Sequence, residues 1–126
     1  MTRIITIITG HVKLEAKLNE TSAADAVWNT LPYEAEGRMW GDELYFRIPE
    51  ELNLELENGQ DVLEVGDLGY WPVGNAFCIF YGPTPASTDK RPRPASPVTV
   101  IGKVLGDTTP LSGIRAGIIV YVNRKE

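Results

Sequence analysis

Arg3-Ile4-Ile5-Thr6-Ile7-Ile8-Thr9 is β-branched at every position after the first, and Gly10-His11 separates it from residues 12–17, where Val12, Leu14 and Ala16 alternate with charged residues. Side chains branched at Cβ are stiff at χ1 and fit the pleated surface of a sheet. The pattern predicts a strand, a tight turn and a second strand. Residues 116–122, Ala-Gly-Ile-Ile-Val-Tyr-Val, form the other strongly apolar run rich in β-branched residues. Strands apolar on both faces are usually covered or paired on both sides, so the first strand is expected beside the last. That pairing would close the sheet into a barrel.

Between these ends the chain reads as short strands with one helix. Thr21 and Ser22 offer an N-cap, Asp25 follows Ser22 by three residues as in a capping box, and Ala24, Val27, Trp28 and Leu31 recur at helical spacing before Pro32. Residues 33–39 predict a strand and Gly41-Asp42 a turn. Leu44, Phe46 and Ile48 then share one face of a strand whose other face carries Tyr45 and Arg47. Leu52, Leu54 and Leu56 alternate up to Asn58-Gly59, a type I′ turn signal that predicts a hairpin with residues 60–65. Strands are expected at 66–71, 76–81 and 98–105, with a long irregular segment at 82–97 and a bend at 110–114. The fold class is therefore all-β, mainly strands with one short helix, and a barrel of about eight strands fills its interior with side chains. A ligand would sit on the outer wall or at the mouth.

Composition narrows the function. A chain of 126 residues suits a single domain, 1–126, and a net charge of −5 disfavours nucleic-acid binding, which needs clustered Lys and Arg. Lys90, Arg91 and Arg93 read as a solvated loop. Cys78 is the sole cysteine, set between Phe77 and Ile79, and reads as a small buried hydrophobe; no disulfide and no metal site is expected. No phosphate-cradling glycine loop or other cofactor motif is present, and one histidine supports no Ser-His-Asp or Cys-His arrangement. The isoleucine run at the start is too short to cross a membrane, and the simplest location is cytoplasmic. Oligomeric state is left open.

Three stretches combine rigid aromatics with glycine or proline: Trp40-Gly41-Asp42-Glu43-Leu44-Tyr45-Phe46, Gly66-Asp67-Leu68-Gly69-Tyr70-Trp71-Pro72 and Phe80-Tyr81-Gly82-Pro83-Thr84-Pro85. They are expected to converge on one pocket, with Trp40, Tyr70 and Trp71 as walls, Tyr45 beside them, and Glu43 and Thr84 as polar contacts. Phe46, Phe77 and Phe80 read as core. Asp42 and Asp67 read as turn formers.

These stretches, followed by the strand at 98–105, resemble a family of small prokaryotic proteins with a cyclophilin-like fold. The resemblance implies a closed eight-stranded cyclophilin-like β-barrel with a short helix, an atypical relative of the cyclophilin peptidyl-prolyl isomerases. An isomerase needs an apolar cup and a guanidinium that draws electron density from the amide nitrogen. Arg38 is the candidate for that catalytic role, but the sequence around it does not reproduce the cyclophilin arginine motif, and His11 falls in a turn. The expected function is binding of a peptide or small molecule in an aromatic-lined pocket. Weak prolyl isomerisation is the alternative, and a structural role through the 52–64 hairpin or the 83–97 segment is the third.

Overall fold

The computed structural model describes residues 2–125. Its elements are β1 (Arg3–Thr9), β2 (Val12–Leu18), α1 (Ser22–Thr30), β3 (Tyr33–Glu36), β4 (Arg38–Met39), β5 (Glu43–Arg47), β6 (Asp67–Trp71), β7 (Ala76–Phe80), β8 (Thr99–Leu105) and β9 (Ile119–Arg124), with a 3₁₀ turn at Thr109–Gly113 before β9. All strands belong to one antiparallel sheet ordered β3-β9-β1-β2-β8-β6-β7-β5-β4. The two ends of that order, β3 and β4, are separated in the chain by Gly37 alone. They are two halves of one crossing, so nine hydrogen-bonded segments make a nearly closed barrel of eight crossings.

The first and last strands pair as their composition predicts, with Ile5 opposite Arg124 and Thr9 opposite Val120. The last strand begins at Ile119, three residues later than expected, because Gly117 adopts φ +91° and residues 116 and 117 form a turn. The β1–β2 turn is the expected two-residue Gly10-His11 connection, with Thr9 opposite Val12.

At the closure, the Gly37 N–H donates to the Ile118 carbonyl at 2.7 Å, and Gly117 N–H donates to the Gly37 carbonyl at 2.9 Å. A Cβ at position 37 would lie 2.9 Å from Leu44 Cδ1 and 3.0 Å from Val120 Cγ2, both on fully buried side chains. A side chain there would have to push both aside.

Strand alternation fills the interior. Ile5 and Ile7, Leu14 and Ala16, Leu44 and Phe46, Leu68 and Tyr70, Phe77 and Ile79, and Val120 and Val122 all point inward. Phe46 stacks on Phe77 at 5.1 Å and meets Tyr33 edge-on at 6.1 Å. Helix α1 lays Ala23, Ala24 and Val27 against the same cluster. Thr21 is its N-cap, accepting from the Ala24 N–H. Asp25 does not complete a capping box; its carboxylate pairs with Arg3 at 2.5 Å.

The hairpin expected over 52–65 does not form. Asn58 has a positive φ (49°) but Gly59 does not, so the type I′ turn is absent. Residues 51–59 form no ladder, with Asn53 and Asn58 at positive φ, and an isolated bridge joins Gln60 to Val98. Leu52 and Leu54 pack on the main core, while their backbone is held by side chains: Leu52 N–H donates to Asn75 Oδ1, and Glu57 N–H to Thr99 Oγ1. No helix among the described residues is long and apolar enough to cross a membrane.

Two measurements test this architecture. Amide exchange should be slowest in β1 and β9, which lie inside the sheet order; an exposed, fast-exchanging β1 would refute the closure. Gly37→Val should cost about 1–3 kcal/mol in denaturant unfolding through overpacking at Leu44 and Val120.

Candidate functional site

Strands β8, β6, β7 and β5 lie side by side, and their outward faces are not bare. Ala76, Cys78 and Phe80 join Leu63 and Val98 in a second buried cluster, against which Tyr45, Trp71 and Val100 pack. This cluster lies outside the barrel wall, under chain that has no regular structure. That cover is fastened by backbone bonds, Leu63 N–H to the Pro92 carbonyl at 2.9 Å and the reciprocal pair between Gln60 and Val98.

Between wall and cover is a cavity of about 190 Å³, lined from the barrel by Trp40, Glu43, Tyr45 and Trp71 and from the cover by Pro94, Ala95 and Val98. Glu43 and Tyr45 share it because they are two apart on β5, with Leu44 between them turned to the interior. Trp71 is fixed by its indole N–H, which donates to Ser96 Oγ at 2.6 Å. Trp40 precedes a turn in which Gly41 takes φ +61°, and a Cβ on Gly41 would stand 2.8 Å from the Thr84 Cα. The turn is pinned to the next stretch by Asp42 N–H donating to the Pro83 carbonyl and Tyr81 N–H to the Asp42 carbonyl, each at 2.9 Å. The 40–45 and 80–85 stretches thus meet through backbone contact.

Of the residues singled out in the sequence, Trp40, Glu43, Tyr45 and Trp71 come together. Tyr70 does not. It has the parity of Leu68, so strand alternation turns it into the barrel, where it is buried and its hydroxyl donates to Asn75 Oδ1 at 3.2 Å. Thr84 stands behind the cavity. Its hydroxyl donates to the Arg93 carbonyl and accepts from Ala86 N–H, while its own N–H donates to Ser87 Oγ, so it ties together the loop that presents Pro94 and Ala95. Arg38 is exposed on β4 opposite Tyr45 and does not line the cavity. Pro94 and Ala95 were not legible as lining residues, because an irregular proline-rich segment has no period to show which side chains face inward; Val98 begins the expected strand 98–105, and its parity alone did not say which face meets a cavity. Asn75 also escaped notice: it is buried at positive φ (48°), and its amide donates to the carbonyls of Ile48 and Glu50. Its place after a Gly in a Pro-Val-Gly-Asn turn was the available signal.

Glu43 is the chemically distinctive group. It is 6% exposed, and among the described residues no lysine or arginine pairs with it. Burial pushes its pKa from an ordinary 4.5 up to about 7, a rise that the neighbouring Cys78 thiol partly offsets. Cys78 is itself held well above its ordinary range, first by burial and then by the Glu43 charge, so it is a protonated donor and not a nucleophile. A carboxyl poised near neutrality in an aromatic cavity can accept from a ligand N–H, pair with a cation or exchange a proton. Among the described residues no group of three His, Cys, Asp or Glu side chains lies close enough to hold a metal ion.

Fold and site together define a closed antiparallel barrel that carries a cavity on its outer wall. The chain belongs to the cyclophilin-like family, whose profile matches residues 3–123. It is similar to the hypothetical protein AF2241 from Archaeoglobus fulgidus, known from a solution structure, with 37% identity over 98% of this chain and 95% of that one and a TM-score of 0.84. McbB, solved in complex with tryptophan, shares the fold at 18% identity and a TM-score of 0.76; the match covers 96% of this chain and 44% of McbB. Among curated proteins none matches.

The raised Glu43 pKa has a consequence for stability. Between about pH 4.5 and 7 the folded chain keeps a proton that the unfolded chain has released, so stability falls as pH rises through that window and is level above it. The loss is on the order of 2–3 kcal/mol. Urea unfolding at pH 5 and pH 8 should show this slope, and Glu43→Gln should remove it and be the more stable protein at pH 8. An unchanged slope in Glu43→Gln would assign it to another group.

Proposed function

We propose that the protein binds a small molecule, or a single side chain of a peptide, in the outer-wall cavity. The observation that carries this reading is Glu43: a carboxyl almost wholly removed from water, without a cationic partner among the described residues, facing a cavity walled by Trp40, Tyr45 and Trp71. Such a group destabilises the empty protein, and a structural core has no use for that cost. An apolar concavity with one well-placed polar group is the usual form of a ligand site. At about 190 Å³ the cavity is below the range of roughly 300–1,000 Å³ typical for drug-sized ligands. A small ring or one side chain is the matching size.

Prolyl isomerisation fits less well, since no guanidinium lines the cavity and Arg38 lies exposed beside it in the sheet. A structural role through a 52–64 hairpin loses its element, and the 83–97 segment is engaged in covering the second cluster.

A panel of uncharged probes of side-chain size, such as indole, benzyl alcohol and N-acetylproline amide, tests the reading by indole N–H chemical shifts. Trp40 and Trp71 should respond together, and Trp28, which packs under the Arg124 guanidinium and does not line the cavity, should not. Ala95→Trp, a substitution at an exposed position on the cavity rim, should fill the space and abolish the response without unfolding the barrel. Shifts scattered over the surface, with Trp28 moving as much as Trp71, would count against the site. Prolyl isomerase activity should be weak and indifferent to Arg38→Ala; a cyclophilin-like rate lost in that variant would replace the binding reading with an enzymatic one.

A further inference from the structure

We propose that the ligand is a cation, an alkylammonium or quaternary ammonium group seated among Trp40, Tyr45 and Trp71 with its charge against the Glu43 carboxylate. This rests on the reading of the cavity as a binding site and names the chemistry it selects.

The argument begins with what the cavity lacks. Its lining holds one carboxyl, three aromatic rings, a proline, an alanine and a valine, with no lysine or arginine. An anionic ligand would be placed beside a like charge in a poorly solvated site, at a cost of several kcal/mol. A neutral hydrocarbon would fill the space but leave the buried carboxyl without a partner, which is unfavourable once that carboxyl is ionised. A cation meets both requirements. Aromatic rings present a negative face, and an ammonium within about 6 Å of a ring centroid is attracted to it, more strongly when desolvated. The carboxylate then supplies the opposite charge that the protein itself withholds. A net charge of −5 also raises the local concentration of cations around the whole molecule.

The electrostatic surroundings fix the direction of the pH dependence. The titratable groups beside Glu43 are the Tyr45 phenol on its own strand and the Cys78 thiol across on β7; the covering segment lines the cavity with Pro94 and Ala95, and its partly buried charge, Arg93, is not among the lining residues. A cation binds the ionised form of Glu43, so binding expels a proton and strengthens as pH rises through about 7. Between pH 6 and pH 8 the ionised fraction grows by roughly tenfold, and affinity should follow.

Choline and its uncharged carbon isostere dimethylbutanol differ in charge and little in shape, and both can be titrated into the full chain while the Trp40 and Trp71 indole N–H signals are followed. Choline should bind at least tenfold more tightly than the isostere at pH 8, and roughly tenfold more weakly at pH 6 than at pH 8. Glu43→Gln should abolish both the preference and the pH dependence while leaving the amide spectrum of the barrel intact. The comparison of the two probes on the unaltered protein stands even if that variant folds poorly. Equal or tighter binding of dimethylbutanol overturns the proposal and leaves the cavity as an apolar site. Silence of Trp40 and Trp71 toward choline overturns it as well, and the uncharged panel above then decides whether the cavity binds anything.

Discussion

Closure of the barrel through residues 33–39 is the constraint on which the other elements depend. One half of this crossing pairs with β9 and the other with β5, and Gly37 lets the chain pass between Leu44 and Val120 without a side chain of its own. Without that join, β9 and β5 would both be sheet edges with open hydrogen-bonding groups. With it, β5 pairs with β7 along its length, and residues 43–45 are paired on the other side by residues 38–40. The strand that carries Glu43 and Tyr45 is therefore a fixed part of the wall.

A fixed wall is what allows a carboxyl to remain buried near neutral ionisation. The penalty of removing Glu43 from water is offset by two apolar clusters on the two faces of the same strands, the barrel interior and the outer group around Cys78 and Phe80. Neither cluster is near the cavity by accident. Leu44 and Phe46 anchor β5 from inside, Phe80 and Val98 support the floor from outside, and Thr84 and Ser96 hold the cover in place. The polar contacts of the loop serve position, and the aromatic rings serve contact.

Legibility in the sequence followed the physics of each segment. The pairing of β1 with β9 was readable because both strands are apolar on a scale that one sheet face cannot explain, and helix α1 because its cap and its 3.6-residue period agree. The sharing of Glu43, Tyr45 and Trp71 followed from alternation along β5 and β6, which equally places Tyr70 inside; that residue was misplaced because its neighbours in sequence, not its parity, were weighed. The 52–65 segment misled for a different reason. Alternating leucines report a segment that lies on an apolar surface, and such a segment needs a hydrogen-bonded neighbour to become a strand. Here Asn75 and Thr99 side chains took that place. The lining residues Pro94 and Ala95 lie in a segment with no period to read at all.

Because inward and outward residues interleave on β5, β6 and β7, the cavity and the interior are chemically separate populations on shared backbone. The side chains at 43, 45 and 71 shape the outer cavity, while Leu44, Phe46, Leu68 and Tyr70 specify the barrel. The shape of the fold and the lining of the cavity are thereby uncoupled. A substitution in one set leaves the other in place, so two barrels that superimpose need not share the chemistry of this outer cavity, and the residue at position 43 says more about it than the superposition does.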